Sequence, residues 1–126
     1  MEKIVSPGFL SGTLRMLPSK SASHRAVMMA AMAQGKTLLE PLQLSQDISA
    51  TLSCAEALGL TDGAAIAPTD TEGFVRAEIH GGGMAENRTL RVLDCGESGS
   101  TLRFLIPIAL ALTGNVTFRG HGRLMQ

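Results

Sequence analysis

The sequence predicts an α/β fold assembled from a repeated strand-helix-strand-helix-hairpin unit, one unit complete and part of a second, and three observations carry that prediction. Short β-rich runs alternate with longer segments of helical apolar spacing. The chain also echoes itself: Ser21-Ala22-Ser23-His24-Arg25 and Gly99-Ser100-Thr101-Leu102-Arg103 each open an apolar helix, with Arg103 78 residues after Arg25 and Gly114 79 after Gly35. Finally, Leu102, Phe104, Leu105, Ile106, Ile108, Leu110 and Leu112 leave no polar stripe, which predicts a helix buried all round with sheets covering it.

The elements follow in order. Strands are expected near Glu2–Val5 and Gly12–Met16, then a helix from about Ser21 to Ala33 with Gly35 as its C′ residue. A short strand, Thr37–Leu39, runs to Pro41. Ser45 caps a second helix carrying Ile48, Leu52, Ala55 and Leu58 at helical spacing, with Asp47 in its first turn and Gly59 as its stop. Strands near Ala64–Ala67 and Phe74–His80 flank the turn-rich Pro68–Gly73 and read as a hairpin. Gly81-Gly82-Gly83 reads as a linker. A strand near Thr89–Leu93 leads through Asp94–Gly99 into a third helix, from about Ser100 to Leu112, where Pro107 predicts an irregularity at Arg103–Pro107. Gly114 stops that helix, and Val116–Arg119 is a last strand. The organisation expected is N-terminal strands over residues 1–17, a first unit over 18–83 and a truncated second unit over 84–126.

Composition narrows the function. Eleven basic residues balance eleven acidic ones in 126, so no field gathers nucleic acid or a membrane surface. With no Trp or Tyr and four Phe, stacking platforms for single strands are scarce. Cys54 and Cys95, 41 residues apart, fit neither a zinc motif nor a disulfide scaffold, and reduced thiols in a cytoplasm are expected. No signal peptide is expected at the N-terminus, and the nine-residue apolar stretch Phe104–Leu112 is too short to cross a bilayer. Small-molecule partners, with no metal and no cofactor, are the expectation.

The chemistry concentrates at helix starts. Pro18–Arg25 gathers Lys20, three serines and Arg25, and Ser21 and Arg25, four apart, share a helix face that can reach one anion alongside the free N–H groups of the first turn. Lys20 is a mobile point charge and Arg25 a planar fork. A serine cap followed by solvated charges would account for the same residues. Gly96-Glu97-Ser98-Gly99-Ser100-Thr101 offers glycines, hydroxyls and N–H groups at another helix start; a plain Gly-rich connection is its alternative. Gly35-Lys36-Thr37 lacks the earlier glycine of a phosphate loop, having Ala30 there, and Gly81–Gly83 lacks dinucleotide spacing. His24 reads as a packing or surface residue outside the site. Asp47 is explained by the helix dipole, though it could act as a base or hold a lysine. Arg103, a lone charge in an apolar helix, predicts a buried ion pair, and Arg123 sits in the glycine loop Gly120-His121-Gly122-Arg123.

Ser19–Arg25, Gly96–Arg103 and Gly120–Arg123 resemble three ordered motifs of the 5-enolpyruvylshikimate-3-phosphate synthase family, and Ser45-Gln46-Asp47 resembles a fourth. The resemblance implies an enolpyruvyl transferase-like inside-out α/β barrel. It also implies a transferase of the shikimate pathway that moves the enolpyruvyl group of phosphoenolpyruvate to the 5-hydroxyl of shikimate 3-phosphate, releasing phosphate. Carried over by motif, it would put Lys20 on both substrates, Ser21 and Arg25 on shikimate 3-phosphate, and Gly99 and Arg123 on phosphoenolpyruvate. His24, Glu97, Ser98 and Phe104 depart from the commonest pattern, and Glu97 brings negative charge near a phosphate site unless its side chain turns away. Glyphosate sensitivity, tied in the family to the region of Gly99, does not follow from these residues.

Family members are roughly three times longer, with two such domains around a cleft, so the chain reads as an N-terminal fragment. It lacks the acid–base carboxylate and lysine of the second domain, and the expectation is that it does not catalyse alone. Its partners would be the two substrates and the missing remainder of the enzyme, and its unfinished unit predicts self-association. The related transferase acting on UDP-N-acetylglucosamine is the poorer match, since Ser21 follows Lys20 and no cysteine lies in Gly120–Arg123. A non-catalytic anion-binding module is the remaining alternative.

Overall fold

A computed structural model describes residues 11–13, 17–83 and 91–125. The strand expected near Glu2–Val5, residues 14–16 of the next one and the unit boundary at 84 lie outside those residues. The fold is mixed α/β.

Helix α1, Lys20–Met32, opens on Ser19, whose hydroxyl accepts the Ala22 N–H at 3.3 Å. It ends at Ala33 in extended conformation, so the chain passes straight into β1, Gln34–Leu42. Gly35 is therefore not a C′ residue; its φ of +94° lies inside the strand. Pro41 also lies within β1 instead of closing a shorter one. An edge strand tolerates the missing donor, and the register slips between Leu39 and Leu42. Helix α2, Gln46–Ala57, is capped by the Ser45 hydroxyl on the Ile48 N–H at 3.3 Å. It closes as expected at Gly59 (φ +77°), with Leu60 N–H donating to the Ala55 carbonyl at 3.0 Å and Gly59 N–H to that of Glu56 at 2.8 Å.

Strands β2, Thr61–Pro68, and β3, Val75–Gly82, form the expected hairpin, and β3 is the middle strand of an antiparallel sheet ordered β1-β3-β2. Ala77 and Ile79 alternate inward from β3 and are fully buried. Gly81 and Gly82 are the end of β3, not a linker. A Cβ on Gly81 would overlap the backbone carbonyls of Ala30 and Ala33 and lie 2.9 Å from that of Ala31, so only glycine lets the strand meet the last turn of α1.

Strand β4, Arg91–Asp94, helix α3, Gly99–Leu112, and strand β5, Val116–Arg119, form a parallel β-α-β unit. Helix α2 touches both sheets and both other helices, so it lies at the centre, with Ile48, Cys54 and Ala55 buried. The expectation that α3 is buried all round is corrected. Thr101, Leu105, Ala109 and Leu112 face inward, but Ile106 (39%), Pro107 and Leu110 (66%) are exposed, because the described elements cover only one of its faces. The helix also runs unbroken through Pro107, whose side chain is on the exposed face where water can take the freed Arg103 carbonyl. Arg103 is exposed too. Its Nε donates to the Gly99 carbonyl at 3.1 Å, so the expected buried ion pair is absent among the described residues.

Candidate functional site

The starts of the three helices are joined by a buried chain of hydroxyls and one imidazole. His24 Nδ1 and Thr51 Oγ1 share a hydrogen bond of 2.8 Å, and Thr51 Oγ1 and Thr101 Oγ1 another of 2.8 Å. Thr101 reaches its own cap, Ser98 Oγ, at 2.7 Å, while Ser98 Oγ accepts the Thr101 N–H at 3.2 Å. Both threonine hydroxyls also lie on the Asp47 carbonyl, at 3.0 and 3.3 Å. All four side chains are at most 1% exposed. Buried polar groups are stable when paired, and apart from the bond of Thr51 to the Asp47 carbonyl within α2, each bond here links two helices or a helix to its cap. The exception is His24 Nε2, which has no partner among the described residues. A neutral ring donating from Nδ1 leaves only a lone pair bare there, whereas an imidazolium would strand a charged N–H near Phe104. Accordingly burial holds His24 below its ordinary value of 6.5, with Lys20 adding to the effect and Asp47 opposing it.

This frame sets what faces outward. The Asp47 carboxylate, its carbonyl fixed inside, pairs with the Lys20 ammonium, so of the two roles open to Asp47 the structure supports holding a lysine. Ser21 and Arg25 are both exposed on α1, one turn apart. Lys20 begins that helix and Ser19 caps it, so one exposed face presents the cation, a hydroxyl and the guanidinium. Among the described residues Arg25 and Arg123 make no ion pair.

The loop after β4 is folded by local bonds: Asp94 Oδ1 accepts the Gly96 N–H at 2.9 Å, and Gly96 itself has φ +58°. Gly99 opens α3, and a Cβ there would make only an ordinary contact, 3.8 Å from Leu124 Cδ1. Packing among the described residues thus does not demand a glycine at 99. The turn after β5 lies against this loop, with His121 N–H donating to the Gly96 carbonyl at 2.9 Å. Arg123 is exposed in a 3₁₀ turn, Gly122–Met125, so the glycine loop expected there has regular structure. A cleft of about 290 Å³ opens among Gln46, Asp47, Cys95, Gly96, Glu97 and His121. It joins the start of α2 to the two glycine loops.

Cys54 and Cys95 are free and buried. Burial pushes the Cys54 thiol up to about 12, helped by Cys95, and raises Cys95 as well, so neither is a nucleophile at neutral pH. Among the described residues no His, Cys, Asp and Glu cluster could hold a metal, and no helix is long and apolar enough to cross a membrane. The threonine frame escaped sequence reading. Its one signal was Thr51, a β-branched hydroxyl at an inward position of α2 between Ile48 and Ala55.

Residues 4–126 match the family model of EPSP synthase (3-phosphoshikimate 1-carboxyvinyltransferase). Similar curated proteins carry the name 3-phosphoshikimate 1-carboxyvinyltransferase. That of Clostridium novyi (strain NT) is 41% identical over 129 aligned positions, covering 100% of this chain and 29% of its own length. That of Clostridium beijerinckii is 40% identical over 126 positions, covering 95% and 27%. That of Clostridium perfringens (strain ATCC 13124) is 36% identical over 121 positions, covering 96% and 27%. The chain thus spans less than a third of the length of these relatives.

Proposed function

This chain belongs to the EPSP synthase family, a family of transferases, and on that premise we propose that its helix starts form one wall of a site for shikimate 3-phosphate and phosphoenolpyruvate. The reaction is transfer of the enolpyruvyl group of phosphoenolpyruvate to the 5-hydroxyl of shikimate 3-phosphate, with loss of phosphate. The observation that carries the proposal is the cleft that Asp47, Gly96, Glu97 and His121 line together: Asp47 is the partner of Lys20, Gly96 lies in the loop that leads to Gly99, and His121 opens the turn that carries Arg123.

In this reading Ser21 and Arg25 hold the phosphate and hydroxyls of shikimate 3-phosphate. Lys20 leaves Asp47 to lie between the two anions, and Arg123 pairs with phosphoenolpyruvate. The absence of any packing demand at Gly99 supports a role in close backbone approach to that ligand. Together the cations offset the repulsion of two like-charged substrates and stabilise charge in the adduct between them. Residues 18–83 and 84–126 would be one unit and part of another in an inside-out barrel. A lysine and a carboxylate from a second wall complete the acid–base chemistry, so the chain alone is inactive.

Calorimetry with each substrate tests the reading. Arg25→Ala should weaken shikimate 3-phosphate at least about tenfold, roughly 1.4 kcal/mol, and leave phosphoenolpyruvate within about twofold. Equal loss of both, or binding unchanged by Arg25→Ala, would overturn the assignment. Phosphate release above background from the chain alone would overturn its inactivity.

A further inference from the structure

Glu97 fits an anion site least of all the loop residues, and its side chain has a seat of its own. The turn after β5 folds onto the loop after β4 through the His121 N–H on the Gly96 carbonyl, 2.9 Å, and closes through the Leu124 N–H on the His121 carbonyl, 3.3 Å. Two glycines permit this approach. A Cβ on Gly120 would sit 3.0 Å from the Gly96 carbonyl oxygen and 2.6 Å from Leu124 Cδ2. A Cβ on Gly122 would overlap the Glu97 carboxylate and lie 3.0 Å from Glu97 Cγ, at a backbone φ of +59°. The carboxylate of Glu97 therefore lies over the bare α-carbon of the residue that precedes Arg123.

We infer that Glu97 is a positioning residue, whose side chain, seated over Gly122, fixes the turn Gly122–Met125 and with it the direction in which Arg123 points. The negative charge is thus spent on backbone placement instead of facing a phosphate. Because Glu97 is exposed and its carboxylate is the far end of a flexible chain, an added methyl on Gly122 can push it aside. Gly122→Ala should therefore evict the carboxylate and disturb the turn at least as much as Glu97→Ala does, since a side chain at φ +59° also strains the backbone. The consequence for ligand affinity rests on the reading of Arg123 as a phosphoenolpyruvate contact; the placement of the turn does not.

The test is amide hydrogen exchange and ligand titration by NMR on the isotope-labelled chain. Exchange of the His121 N–H should speed up about tenfold in Glu97→Ala and stay within about twofold in Glu97→Gln, which keeps the packing. Glu97→Ala added to Gly122→Ala should change little further, since both remove the same contact. Unaltered His121 exchange in Glu97→Ala, or additive effects in the double variant, would overturn the inference. In a phosphoenolpyruvate titration, the Arg123 amide should shift, with affinity about tenfold weaker in Glu97→Ala and near parental in Glu97→Gln. If phosphoenolpyruvate moves no amide of the parental chain, the ligand role of Arg123 fails, while the exchange data still decide the role of Glu97.

Discussion

Helices α1 and α3 start with the same kinds of residue and use them in opposite directions. Each has a serine cap, Ser19 or Ser98, small hydroxyl residues in the first turn and an arginine shortly after. In α1 the cap is exposed, and Lys20, Ser21 and Arg25 face solvent. In α3 the cap is 1% exposed, Thr101 is fully buried, and both are bonded into the frame with Thr51 and His24. One start is a solvent-facing surface; the other is a support that holds the three helices in place. The difference teaches that a Ser/Thr-rich helix start is two possible devices, and that what packs behind it decides which.

The largest break in this comparison comes from the frame. Thr51→Val keeps the shape of the side chain but strands His24 Nδ1 and leaves Thr101 a partner short. A buried polar group left unsatisfied costs about 1–3 kcal/mol, and a frame with several should lie at the upper end. That corresponds to a melting temperature lower by roughly 10 °C or more, read by thermal denaturation. Ser21→Ala, on the outward start, should stay within about 0.5 kcal/mol. Equal losses in the two variants would erase the distinction between support and surface.

Much of this was legible in the sequence and some was not, for physical reasons. The cap Ser45, the stop at Gly59 and the β2–β3 hairpin follow from local chemistry, which a sequence carries in adjacent residues. The candidate site was legible as separate motifs, because Lys20, Ser21, Arg25, Gly99 and Arg123 each stand in a recognisable local pattern. Burial was not legible. The apolarity of α3 records what that helix can bury, not what covers Ile106 and Leu110, and Gly81 could not be told from a linker without the carbonyls of α1. The threonine frame joins residues 27 and 50 apart, beyond any local pattern.

A medium effect should appear with pH. His24 is neutral when folded and lowered by burial, whereas in the unfolded chain it takes up a proton near its ordinary 6.5. Below that value the unfolded state binds more protons, so the stability due to a neutral His24 is full above about pH 7 and is lost as pH falls through 6.5 toward the folded value. Urea denaturation between about pH 7.5 and 5 should give a midpoint that falls with acid, and His24→Gln should flatten the slope whatever its effect on the absolute midpoint. A slope equally steep in His24→Gln would remove the buried imidazole from the account.

A small stability effect also belongs to the outward pair. Lys20 and Asp47 form an ion pair with 59% of the lysine side chain and 28% of the carboxylate side chain exposed, so water and salt screen it. Such pairs are worth about 0–1 kcal/mol, and Lys20→Met should shift stability by no more than that. The same substitution should nonetheless weaken binding of both substrates, about tenfold or more each, if Lys20 stands between two anions, because it is the one cation that reading places on both of them. Asp47→Asn sharpens the point. It frees Lys20 from its only ion-pair partner among the described residues while leaving the buried Asp47 carbonyl in the frame, so affinity for both substrates should rise or hold while stability barely moves. A chain in which Lys20→Met costs stability but not affinity would make the start of α1 a second support, and the contrast with α3 would be gone.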